Sequence, residues 1–80
     1  MIYRTEFTQY TQNTQIQGNC NAITFINTGA INVQVNQFIL EPSAQITIGG
    51  NAGEIDKTNY NINFEGATDG VISVIKKIYE

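Results

Sequence analysis

The chain has no histidine, no tryptophan, a single cysteine and a single proline, and between Phe7 and Gly53 its only charged residue is Glu41. Each absence removes a class of function. Without histidine, a Ser or Cys nucleophile has no imidazole base, and zinc loses its commonest nitrogen ligand. The lone Cys20 excludes a disulfide within the chain. Its neighbours Asn19 and Asn21 supply no activating cation, so it reads as a small unreactive side chain. The four basic residues, Arg4, Lys57, Lys76 and Lys77, form no patch able to track a phosphate backbone, and nucleic acid is not an expected partner. No apolar run approaches the roughly 20 residues of a membrane span, and no secretory leader pattern opens the chain. The expectation is a soluble protein of a reducing compartment, with no cofactor, metal or small-molecule substrate.

What is present is β-forming and amide-rich. A domain of 80 residues buries roughly 60–65% of the surface its unfolded chain exposes, which leaves its stability marginal. With disulfides and soft metals excluded, association with other chains is the favoured source of extra stability. Polarity from Phe7 to Gly53 comes from Asn, Gln and Thr, and free strand edges in such a stretch lack the usual lysine guards. Two explanations stand side by side: an AT-rich coding bias that inflates Asn and Ile, and a surface made to be covered.

Strand patterns follow one another along the chain. Residues 2–10 alternate weakly, with Tyr3, Thr5 and Phe7 on one side and Arg4 and Glu6 on the other. Residues 11–19 hold one apolar side chain, Ile16, in a Thr/Gln tract and are expected to form a polar loop or extended arm. A short apolar run at 21–27 ends at the Thr28-Gly29 turn signal. In 31–40 the apolar phase shifts from odd to even positions, which a regular strand cannot do. A two-residue hairpin turn at Asn36-Gln37 explains the shift, and a bulge is the alternative. A turn at Glu41-Pro42-Ser43, a strand at 44–48, a glycine-rich loop at 49–53, an amphipathic strand at 59–65 and a turn at 66–70 follow. Residues 71–79 fit a helical stripe, but their β-branched content favours a strand. The whole predicts one all-β domain over 1–80, a small antiparallel β-sandwich or barrel of 6–7 short strands.

No constellation of catalytic, cofactor-binding or metal-binding residues stands out. Glu41, Glu54, Asp56, Glu65, Asp69 and Glu80 occupy turn-like or polar-face positions, where solvated acids are ordinary, and lack the spacing of a calcium loop. The loop GGNAGE ends in Glu54, which repels phosphate, so a tight inter-strand connection is the expectation. Tyr3, Tyr10, Tyr60 and Tyr79 invite comparison with a sugar-binding platform, but a core or interface role suits them better.

The stretch NTGAINVQVNQFILEPSAQITIGGNAGEID carries a cadence of turns and alternating strands: Asn27-Thr28-Gly29, Val35-Asn36, Leu40-Glu41-Pro42, Ile46-Thr47-Ile48-Gly49 and Gly53-Glu54-Ile55. It resembles small virion-associated β proteins of tailed phages and prophages of Bacteroides-type hosts, crAss-like phages among them. The resemblance covers roughly residues 22–64 and departs at Gln37 and Ser43, where that pattern has glycine. It implies a non-enzymatic virion structural protein, assembled in the host cytoplasm: a capsid decoration or auxiliary protein, or a head–tail or tail accessory component. Its partners would be copies of itself (a homo-oligomer), major capsid or tail proteins, or both. The alternatives are a small carbohydrate-binding or adhesin module and a phage-encoded inhibitor of a host defence protein.

Overall fold

The period-two patterns become strands in a computed structural model that describes residues 2–79. The strands are β1 (Tyr3–Tyr10), β2 (Thr14–Gln17), β3 (Ala22–Asn27), β4 (Val33–Val35), β5 (Phe38–Leu40), β6 (Gln45–Gly49), β7 (Asn59–Asn63) and β8 (Ile72–Tyr79), with no helix among the described residues. They build two antiparallel sheets of four strands, ordered β1-β8-β3-β6 and β2-β7-β4-β5, stacked as a small β-sandwich. The count is eight strands, above the expected 6–7, because the tract at 11–19 supplies one more.

The additional strand lies within residues 11–19. The polar loop or arm expected there is corrected to a strand: β2 pairs along β7, with Ile16 opposite Tyr60 and only 4% exposed. An edge strand needs few inward side chains, and Ile16 and the buried Gly18 supply them while Gln15 and Gln17 face solvent. Gly18 donates to the Thr58 carbonyl at 2.9 Å, and a Cβ there would lie 2.7 Å from the Asp56 carbonyl oxygen, so only glycine permits this approach. The hairpin expected at Asn36-Gln37 is present. Val35 pairs with Phe38 across it, and Asn36 takes a left-handed φ of 53°. Asn36 Oδ1 also accepts the Asn61 N–H at 2.9 Å, tying the turn to β7.

The C-terminal segment is a strand, not a helix. β8 pairs with β1 through eight register steps, Tyr3↔Tyr79 to Tyr10↔Ile72, and with β3 on its other side. The core lies between the sheets: Ile23, Phe25, Ile72 and Val74 from one face Ile16, Val33, Val35, Tyr60 and Ile62 from the other. Phe25 and Tyr60 meet across this gap with ring centroids 5.0 Å apart.

Buried asparagines close the ends of the sandwich. Asn27 Nδ2 donates to the Ile31 and Leu40 carbonyls at 2.7 and 2.8 Å, and its Oδ1 accepts from Gly29 N–H. Asn21 Nδ2 donates to the Ala52 and Glu54 carbonyls, while its Oδ1 accepts from Tyr79 N–H. Asn13 and Asn63 each accept a backbone N–H as well. Part of the asparagine excess is therefore backbone stitching, whatever its coding origin.

Candidate interaction surface

The chemistry-bearing side chains are dispersed or engaged. Cys20 is buried, and burial pushes its thiol upward. Glu41 lies between β5 and β6, Glu54 between β6 and β7, and Glu65 and Asp69 between β7 and β8. Among the described residues no three His, Cys, Asp or Glu side chains gather as a metal site. Asp56 is turned to the protein instead, accepting from the Tyr60 hydroxyl and from Thr58 N–H. Burial pushes Tyr60 up to about 12, helped by its hydrogen bond to Asp56. Burial alone would raise Asp56, but the hydrogen bonds from Tyr60 and Thr58 outweigh it and hold the carboxyl below its usual value. With Tyr60 in the core, this pair fastens the loop before β7 rather than facing a substrate.

The glycine-rich loop has the wrong polarity for phosphate. It turns the Ala52 and Glu54 carbonyls onto Asn21 Nδ2, and Gly50 N–H is taken by the Asn21 carbonyl. It is a belt around a buried amide.

The four tyrosines separate. Tyr60 is core, Tyr10 is half-buried against the core, and Tyr3 and Tyr79 pair on the outer face of the first sheet. Their rings are tilted by 60° with centroids 5.8 Å apart. Lys77 Nζ sits 4.3 Å from the Tyr3 ring centroid and 5.3 Å from that of Tyr79. The rings form a cation-filled corner rather than a flat platform. Lys76, one residue earlier, points to the opposite face and donates to the Gln17 carbonyl at 2.8 Å.

The two outer faces differ sharply. On the second sheet, Gln15, Gln17, Asn59, Asn61 and Asn63 make an exposed amide face without a charge. On the first sheet, Phe7 of β1 lies opposite Ile75 of β8, and with Ile26 and Ser73 they line an open groove of about 510 Å³. Phe7 is 73% exposed and Ile2 71%.

β1 itself is the anomaly. Its alternation suggests a half-buried strand, yet every residue from Tyr3 to Gln9 is exposed, and only Tyr10 touches the core. Backbone pairing with β8 holds it, and its outer edge carries no proline, lysine or bulge along its eight residues. The other edges are shorter: β2 has four residues, β5 three, and β6 five, the last turned aside by Gly49 and Gly50 at φ 87° and 132°. Phe38 and Ile39 on β5 are exposed too. Sequence reasoning found the apolar side of β1 but not its lack of cover.

No helix is long and apolar enough to cross a membrane among the described residues. Comparison with protein-family models, with curated proteins and with solved structures found no match.

Proposed function

We propose that this chain is a non-enzymatic structural component of a phage virion, a capsid decoration, head–tail or tail accessory protein working through multi-copy assembly. Its partners are copies of itself, a major capsid or tail protein, or both, and assembly takes place in the host cytoplasm. The resemblance of residues 22–64 to virion β proteins supplies the setting. The observation that supports assembly is β1: a long edge strand, blunted only by the Arg4–Glu6 pair, with exposed Phe7 and Tyr3, that contributes almost nothing to its own core. A strand of this kind is stabilised when another protein covers it.

The rival readings have less support. A sugar-binding module needs open aromatic faces, and Lys77 stands over both Tyr3 and Tyr79. An inhibitor that mimics an acidic ligand needs its carboxylates gathered, whereas Asp56 is engaged by Tyr60 and Thr58, Glu6 lies on β1, and Glu41, Glu54 and the Glu65/Asp69 pair lie in three different loops, with Glu80 outside the described residues. Light scattering of the purified chain tests the assembly reading. A mass above that of one chain, rising with concentration, is expected; a lone monomer throughout the micromolar range contradicts self-assembly and leaves only assembly on a capsid or tail protein.

A further inference from the structure

Building on the assembly reading, we infer that the partner of β1 is β1 of a second copy, paired antiparallel about a two-fold axis that passes through Thr5. The two four-stranded sheets then join into one continuous sheet of eight strands, with the β1 strands at its centre.

The register follows from side-chain parity and charge. Odd residues of β1 face outward with Ser73, Ile75, Lys77 and Tyr79 of β8, and even residues face the opposite way with Ile72, Val74, Lys76 and Ile78. A perpendicular two-fold axis keeps outward faces together, so odd residues must meet odd and even must meet even. Centring on Arg4 or on Glu6 would set that charge against its own copy. Centring on Phe7 puts Arg4 opposite Tyr10 and Glu6 opposite Thr8, with no ion pair.

Centring on Thr5 differs from all of these. Arg4 of each copy then lies opposite Glu6 of the other, and Tyr3 of each lies opposite Phe7 of the other. Within one chain Arg4 and Glu6 already form an exposed ion pair at 3.3 Å, so pairing would build a compact cluster of four alternating charges on one face. On the other face, Ile75, Phe7, the second copy's Tyr3 and its Tyr79 form a continuous row across four strands. Cross-strand aromatic and opposite-charge pairs are the contacts that stabilise antiparallel sheets. The same two-fold pairing closes after two copies and uses one patch on both, as isologous dimers do. The second copy's β1 would thus cover the edge from Ile2 to Thr8, Phe7 included, leaving Gln9 and Tyr10 outside the pairing.

Two measurements test this on the full chain. In the inferred register Thr5 stands opposite Thr5 at roughly 4.5–5.5 Å between Cα atoms, within the span of a disulfide. Thr5→Cys should link two chains under mild oxidation, Gln9→Cys should not, and Cys20, buried in the core, should remain a free thiol. Arg4→Glu sets carboxylates against each other at both symmetric contacts and should weaken self-association roughly tenfold or more. Arg4→Glu combined with Glu6→Arg should restore it, a rescue that loss of folding would not give. A link through Glu6→Cys in place of Thr5→Cys overturns the register. An oligomer that persists unchanged in Arg4→Glu, with no Thr5→Cys link, overturns the inference while leaving the assembly reading intact. A wild-type monomer at every concentration overturns the inference together with the self-assembly part of that reading.

Discussion

Asn27→Ala should cost this protein a large part of its stability. The residue is 1% exposed, at the end of β3. Its amide donates to the carbonyls of Ile31 and Leu40 and accepts from Gly29 N–H. Its backbone adds bonds to Ala44 and Ser43 at 3.0 and 2.9 Å. Alanine keeps those backbone bonds but leaves two carbonyls and one N–H without their partner. Each unpaired buried group costs about 1–3 kcal/mol. Partial hydration of the loop side of this cluster trims the sum, so the expected loss is about 3–5 kcal/mol. A domain of 80 residues has about 4–12 kcal/mol in total, so the change approaches the whole margin. Urea unfolding with linear extrapolation measures it, and an unchanged slope would show that the two end states are comparable. Asn61→Ala, on the exposed amide face, should cost less than about 0.5 kcal/mol in the same assay. Asn27→Asp should resemble Asn27→Ala, because it turns an anionic oxygen toward the two carbonyls. If Asn27→Ala loses less than about 1 kcal/mol, the claim that this amide knits three connections is wrong.

Ser43 sits at φ 73° in the turn before β6, a left-handed conformation that favours glycine. Ser43→Gly should therefore raise stability by about 0.5–1 kcal/mol, seen as a higher urea midpoint, and a lower midpoint would contradict the strain. The Tyr60–Asp56 contact predicts two pH limbs. Tyr60, raised to about 12 in the folded chain, contributes its full stability below about pH 10, and that contribution drains away as pH rises toward 12. Asp56 is lowered, so its contribution is present above about pH 4 and is lost as pH falls through its folded value. Urea midpoints across pH should show a shallower alkaline limb in Tyr60→Phe than in wild type; identical limbs would mean that the hydroxyl is not held by Asp56.

Particular residues show what was legible in the sequence. The phase break at Asn36-Gln37 located the hairpin, because a change of side-chain parity demands a turn or bulge. The β-branched run at 71–79 identified β8 against its own helical stripe. The polar tract at 11–19 misled for a physical reason: an edge strand over a small core needs only one large anchor, and Ile16 flanked by Gln15 and Gln17 already had the right alternation. Asn21 and Asn27 were not recognisable as buried, since nothing in a local pattern shows that three backbone groups will converge on one amide. The deepest gap concerns β1. Alternation reports that Tyr3, Thr5 and Phe7 share a face, but not whether any layer lies over that face, and here the second sheet packs on the opposite side. The surface argued to do the work was therefore visible as a pattern and invisible as a site.

Hydrogen exchange of the β1 amides, followed as a function of protein concentration, bears most directly on the claim that this edge is covered by another copy. Amides of β1 that point away from β8 face no other strand among the described residues and should exchange faster when dilute. At concentrations where the chain associates they should become protected, while β3 and β7 in the core stay unchanged. Exchange from β1 that is equally fast at every concentration, in a chain whose mass nevertheless rises, would place assembly elsewhere and contradict the claim.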